Sequence, residues 1–233
     1  MANTGDTLIE LVKHDILEGV WPPGSRLSPA DLAVKYAASK SVVREALATL
    51  SGTGLVTLSP NRGFFVMSLS LRELRVLTDL RSYSEGIALR MSIERGDEAW
   101  ESQLVAAHYQ LERAHRRRAE NPNRTDHNWA TQHRIFHTKL VEASGIPLLT
   151  ATAGNLADAT ELYRRWSATG LAGSRRNVEG EHRAILEAAL DRDADRATAL
   201  LQDHYETTLS VLLDAGLVGE APQASVETPA QEG

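Results

Sequence analysis

The chain has no cysteine among its 233 residues. Disulfide frameworks and thiolate metal sites are thereby excluded, and any metal must be held by His, Asp or Glu. Long apolar runs are missing as well. Met1 to Leu11 holds no stretch resembling the core of a secretion signal, and nowhere do apolar residues approach the ~20 needed to span a bilayer. A soluble, cytoplasmic protein without a membrane partner is the expectation. A basic excess is also lacking, since the formal net charge is -6. That balance argues against nucleic acid only if it is even along the chain. It is not: up to Ser70 six acids face six bases, so the whole deficit lies beyond. A neutral module can still grip DNA when its bases gather on one face, because phosphate contact depends on local potential.

With 42% hydrophobic residues the chain can bury a full-sized core, and its length favours two domains. Asp6 to Leu17 carries Leu8, Ile9, Leu11, Val12, Ile16 and Leu17 at helical spacing, and Trp21-Pro22-Pro23-Gly24 stops the helix. Ser28, with Pro29 in the first helical position and Asp31 in the first turn, caps a helix over Ala30 to Ala37. Ser39 or Ser41 caps another over Val42 to Ser51. After Gly52 and Gly54 the period shortens to that of strands. Leu55 to Leu58, a turn at Ser59 to Gly63, and Phe64 to Met67 read as a hairpin. Three short helices and a hairpin make a winged helix-turn-helix in residues 1–68.

From Leu71 onward every segment has helical period. Helices are expected over Leu71 to Glu94, Asp97 to Glu120, Thr125 to Ser144, Pro147 to Ser167, Ser174 to Leu190 and Ala194 to Ala215. The fold class is therefore mainly α: the winged domain, then an all-α helical bundle over 70–215, then a disordered tail over 216–233 rich in Ala, Pro, Glu and Gln.

In a helix-turn-helix the second helix enters the major groove with its N-terminal residues against bases and phosphates. Here those are Ser39, Lys40, Ser41 and Arg44. Lys40 and Arg44 share one helix face and can reach a phosphate and a base edge, and the serines can donate to phosphates. At the wing tip Arg62 supplies charge and Gly63 allows close backbone approach to DNA. Any one of these cations alone is more often a plain solvated charge; the order of elements is what favours DNA. The run from Leu17-Glu18-Gly19 through Pro22-Pro23-Gly24-Ser25-Arg26-Leu27, then Asp31-Leu32-Ala33, Val43-Arg44-Glu45-Ala46-Leu47 and Arg62-Gly63-Phe64-Phe65-Val66, resembles the GntR family of bacterial transcription factors over residues 8 to 67. The resemblance implies a homodimer on a double-stranded DNA operator. Lys40 stands where the family usually has arginine, and Ala30 where some members carry a base-reading arginine.

Four histidines of the bundle can be brought together by spacing. His133 and His137 lie four apart on one helix, so both rings leave one face. His182 and His204 lie on consecutive helices turning near Arg192. At ~1.5 Å rise per residue they stand ~15 Å before and ~18 Å after the turn, nearly level in an antiparallel pair. A lone histidine is more often a core or surface residue than a ligand, and His14, His108, His115 and His127 are left so. The set of four gains from Phe136-His137 and Glu181-His182, which resemble the FCD sensor domain of FadR-like GntR regulators. That resemblance, over about Leu71 to Leu213, implies a divalent metal held by an Asp and three His. His133 replaces the aspartate, and a four-nitrogen site would favour zinc, nickel or copper over manganese or magnesium. The alternative is three ligands plus solvent. Either arrangement could hold the carboxylate of an organic or sugar acid.

Arg81 lies where the resemblance puts a pocket-facing arginine, fit for bidentate contact with an anionic effector. Its alternative is a surface pair with Glu85. Arg116-Arg117-Arg118 and Arg164-Arg165 are read as exposed charge faces without a role. Three functions result: a ligand-responsive repressor with a metal-bound acid effector, the same regulator with a metal-free sensor for an apolar or acyl-type effector, and a His-ligated metalloenzyme carrying a DNA-binding appendage. Absence of a general-base Asp or Glu beside the histidines disfavours the last.

Overall fold

A computed structural model of the chain describes residues 4–117, 119, 125–167 and 176–217. Arg118 and the tail from residue 218 lie outside them. The N-terminal module holds α1 (Thr4–Leu17), β1 (Arg26–Leu27), α2 (Pro29–Lys35), α3 (Lys40–Gly52), β2 (Val56–Ser59) and β3 (Gly63–Val66). Its sheet has the order β1-β3-β2, all antiparallel, with Leu27 opposite Phe64 and Val56 opposite Val66. β1 is an addition to the expected hairpin. Two residues carry too short a period to register in a sequence, and Arg26-Leu27 becomes a strand only by pairing with β3.

Caps set the helix starts. Ser28 Oγ accepts from the Asp31 amide at 3.4 Å with Pro29 in the first turn, and Ser39, not Ser41, caps α3 by accepting from the Val42 amide. The wing turn places Asn61 at φ 60° and Gly63 at φ 95°, the left-handed region that glycine enters at no steric cost. Leu8, Val12 and Ile16 of α1, Leu32, Val43, Leu47 and Leu50, and Phe64 and Val66 close one apolar core. Leu162 enters that core from the second domain.

The bundle comprises α4 (Leu71–Arg95), α5 (Glu98–Arg113), α6 (His127–Glu142), α7 (Pro147–Trp166), α8 (Val178–Leu190) and α9 (Ala194–Ala215). α4 packs on α9 and α7, α5 on α6, and α8 on α9. Leu89, Leu104, Phe136, Leu140, Ile185 and Leu201 are buried at its centre. Three expected ends move. α5 stops at Arg113 rather than Glu120, because Ala114 turns extended and the following strand is pinned back: Arg117 bridges Thr125, and Arg116 accepts from the Asp126 amide at 3.0 Å. α6 starts at His127 because the Asp126 carboxylate takes the Asn128 and Trp129 amides. α8 starts at Val178 behind an Asn177 cap.

The two domains meet along α7. Tyr163 donates to the Ser70 carbonyl and accepts from the Ser70 amide, tying the interdomain segment down. Lys13 reaches Asp158 at 2.6 Å and Glu18 reaches Arg165 at 2.6 Å. Gly19, at φ 75°, lies so close that a Cβ there would stand 3.1 Å from Arg165 Cδ.

Candidate metal centre and DNA interface

The recognition helix presents its chemistry to solvent. Ser39, Lys40, Ser41 and Arg44 are exposed at the start of α3, while Val43, Leu47 and Leu50 anchor its inner face. Lys40, Arg44 and Arg62 form no ion pair among the described residues. Arg62 lies exposed at the wing, 5.4 Å from the Phe65 ring, next to Gly63. The six residues thus sit on two reachable elements of one domain.

The four bundle histidines converge. His133 and His137 descend from α6, His182 from α8 and His204 from α9, all buried, and one ring nitrogen of each lies within 4.8 Å of the others. The antiparallel α8–α9 pair sets His182 and His204 level across the turn at Arg192, whose φ of 59° reverses the chain. Burial, followed by repulsion from neighbouring ring charges, holds His133, His137 and His182 well below the usual histidine range. Burial likewise takes His204 down, to about 4, against the opposing pull of Glu181. All four are neutral rings at pH 7, the state in which a ring nitrogen can give a lone pair to a metal.

Neighbours choose the nitrogen. His204 Nδ1 is 2.7 Å from Glu181 Oε2, so its proton sits there and Nε2 is bare. Burial raises the Glu181 carboxyl, but hydrogen bonds from His204 and Arg176 outweigh it and bring it to about 2, so it stays an acceptor. His137 Nδ1 faces Tyr205 Oη at 3.1 Å, and Tyr205 donates onward to Glu85 Oε2 at 2.5 Å. His137 Nε2 is therefore bare as well, and it faces His182 Nε2 at 3.4 Å. Zinc–imidazole bonds of about 2.0–2.1 Å would put neighbouring ligand nitrogens about 3.4 Å apart in a tetrahedron. The four-nitrogen donor set suits a divalent metal of the zinc type: the His137–His182 pair already stands at that spacing, and all four nitrogens lie within 4.8 Å.

Beside the cluster lies a cavity of about 350 Å³ reached by His133, His137 and Arg81. Arg81 does pair with Glu85 at 2.6 Å, but the pair is buried rather than on the surface, and the guanidinium lies 4.3 Å from the centre of the Tyr205 ring. The cavity's far wall is α1, through Lys13, His14 and Glu18. Arg164 and Arg165 also line it, with side chains 18% and 11% exposed. They are not an exposed face: α7 turns them inward onto Glu161 and Glu18. Arg116 and Arg117 are half-buried for the reason that ends α5 early.

Of the other histidines, His108 packs on Phe136, His127 holds Glu18 at 2.9 Å with His14 against its ring edge, and His115 is exposed. Sequence reasoning gave Tyr205 nothing, used Glu181 only as part of the Glu181-His182 pattern, and gave Glu85 only a surface pair with Arg81. Their adjacency to His182 and His204, and the four-residue step from Arg81, were the available signals.

Residues 4–66 match the family described as bacterial regulatory proteins, gntR family, and residues 77–207 match the FCD domain. The chain is 35% identical to the HTH-type transcriptional regulator BphR of Paraburkholderia xenovorans LB400, over 91% of this chain and 86% of that one. It is 28% identical to the HTH-type transcriptional repressor GlaR of Escherichia coli K12, over 88% and 93% respectively. Among solved structures, Escherichia coli McbR/YncC is similar with a TM-score of 0.74 at 20% identity, covering 92% of this chain and 99% of its own. Regulators, not enzymes, surround it on every side, which sets the metalloenzyme reading aside. The chain belongs to the GntR family of bacterial transcriptional regulators, as a winged helix-turn-helix joined to an FCD domain.

Proposed function

We propose that this regulator is a cytoplasmic repressor that binds a palindromic operator as a homodimer and releases or tightens it when a small organic or sugar acid enters the FCD cavity. The observation that carries the reading is the junction of three things at one place: four converging buried histidines, a cavity of about 350 Å³, and the first helix of the DNA-binding domain as its far wall. His133, His137, His182 and His204 would hold a divalent metal, zinc or nickel. A carboxylate could join the metal if only three of the histidines held it, or if the shell expanded beyond four ligands. Arg81, fixed by Glu85 and Tyr205, faces the same space and gives the acid a second cationic contact.

Coupling to DNA follows from the wall. A ligand that touches Lys13 or Arg165 competes with Asp158 or Glu18 for them, and so favours one orientation of the winged domain over another. On the DNA side, Ser39, Lys40, Ser41 and Arg44 read the major groove, and Arg62 with Gly63 follows the backbone at the wing. For the homodimer, α4 offers a surface. Val76, Leu80, Tyr83 and Ile87 repeat at helical spacing and are 50–69% exposed, an apolar stripe that a second copy would cover. A metal-free acyl effector suits the cavity less well, because ionisable side chains supply most of its lining.

The test is a thermal-shift screen of small carboxylic acids on full-length protein, with and without bound metal, because a ligand of the folded state raises its apparent stability. An acid that raises Tm only in the metal-loaded protein, and that changes operator affinity at the same concentration, is the expected result. No such acid, or metal uptake well below one equivalent per chain after reconstitution, would overturn the metal-sensor part.

A further inference from the structure

On the side of the histidine cluster reached by His133 and His204 lies a second, smaller pocket, of about 60 Å³. That is several times the ~10–15 Å³ needed to seat one water, room for a small oxyanion such as a phosphate or carboxylate group. Arg116, Arg117, Arg164 and Arg176 all line it, and among the described residues no carboxylate does. Two of the four are already neutralised. Arg176 clasps Glu181 through Nε and Nη2 and also donates to Thr208 Oγ1, and Arg164 bonds Glu161. Among the described residues Arg116 and Arg117 have no ion-pair partner.

Their placement is built, not incidental. α5 ends at Arg113, Arg117 bridges Thr125, and the Arg116 carbonyl takes the Asp126 amide, so the extended segment is pinned at both residues. The Arg116 guanidinium lies 5.7 Å from the centre of the Trp129 ring, which stacks on His133 at 4.6 Å. Burial, and then the charge of Arg117, pulls Arg116 down to about 10, against the opposing charges of Glu179 and Glu181. Two guanidiniums that no carboxylate pairs among the described residues, facing one small cavity, are stabilised when an oxyanion enters, each able to donate a bidentate hydrogen-bond pair.

We propose that Arg116 and Arg117, backed by Arg176, form an oxyanion subsite behind the histidine cluster. It accepts a single phosphate or carboxylate group of a small ligand and is separate from the large cavity beside α1. The subsite requires no metal, so it stands apart from the metal-bound acid reading.

Calorimetric titration of the full-length protein with inorganic phosphate and, separately, with succinate tests it, at fixed ionic strength, on metal-loaded and on chelator-treated samples. The expected result is one saturable site per chain for at least one of the two anions. Affinity should fall at least ~10-fold in Arg116→Gln/Arg117→Gln and partly recover in Arg116→Lys/Arg117→Lys, which keeps the charge but loses the fork. Dependence seen with phosphate alone identifies free phosphate; dependence seen with succinate alone identifies a carboxylate ligand. If the double variant does not fold, Arg117→Gln alone carries the same comparison. Equal affinity in wild type and variant, or no saturable site with either anion, overturns the proposal. Metal stoichiometry is measured on the same samples, so loss of metal without loss of the anion site would count against the metal centre only.

Discussion

The exposed basic face of α3 and the wing, and the buried histidine cluster, are suited to opposite tasks. Lys40, Arg44 and Arg62 stand in solvent, anchored only by the apolar residues beneath them. The four histidines are buried beside two pockets, and two of them have their tautomer set by Glu181 or by the Tyr205–Glu85 chain. A polyanionic duplex brings its own structure and needs reachable charge. A small ion needs lone pairs aimed in advance, since an unaimed imidazole would be reorganised at the cost of affinity. Between the two sites runs α7, which gives Leu162 to the winged core and Asp158, Arg164 and Arg165 to the cavity.

The contrast can be broken at its buried end first. His137→Ala/His182→Ala removes two of the four nitrogens and is expected to weaken metal binding by well over ~100-fold, read by competition with a chromogenic chelator, while binding to operator DNA by the metal-free protein stays near wild type. Retained metal affinity would show that the cluster is packing rather than a ligand set.

Next in size is the link itself. Leu162→Ala deletes a fully buried side chain from a core built mostly by the other domain, and should cost about 3 kcal/mol in chemical denaturation. Because the cavity opens beside the winged domain, the loss should fall on that domain's unfolding. A drop confined to the bundle would mean that α7 does not couple the two.

Glu181→Gln sharpens the claim about aimed lone pairs. An amide can accept from His204 Nδ1 but carries no charge and leaves Arg176 half-paired, so metal affinity should fall about 10–100-fold with the four ligands intact. Of similar size, Arg44→Ala should cost about 1–3 kcal/mol on one operator base pair, whereas Lys40→Ala should weaken all sequences alike and lower the salt slope by about 1, both measured by titration over a salt series.

The smallest effect lies at the junction. Burial pushes the Glu18 carboxyl up, but Arg165 and His127 more than reverse it and hold it at about 2, below its ordinary 4.5. A depressed carboxyl contributes stability that is complete above 4.5 and disappears as pH falls toward 2. Wild type should therefore exceed Glu18→Gln by on the order of 1 kcal/mol near neutrality, with the gap closing between about pH 4.5 and 2. A gap that persists at pH 2 would assign it to packing.

Much of the winged domain was legible because its signals are local. Ser28 and Ser39 cap where they stand, Gly63 takes the positive φ its turn needs, and apolar spacing marks α1 and α3. β1 was not legible, since its pairing residue lies almost forty positions away at Phe65. In the bundle, the i,i+4 step of His133 and His137 and the antiparallel arithmetic of His182 and His204 foretold the convergence. Arg116 and Arg164 were misread as exposed because charge on a helix pattern normally faces water. Only the pinned segment after α5 and the packing of α7 turn them inward.

The sequence by itself determined the order of the helices and the hairpin, the caps, the hairpin turn and which side chains offer ring nitrogens or cationic charge, because each depends on residues within a turn or two of one another. The tertiary structure alone decided the bare nitrogens of His137 and His204, that α1 walls the cavity, and that Arg116 and Arg117 face a pocket lined by no carboxylate among the described residues. Those properties arise from groups far apart in the chain, such as Glu181 against His204 or Lys13 against Asp158, whose meeting depends on how whole helices pack.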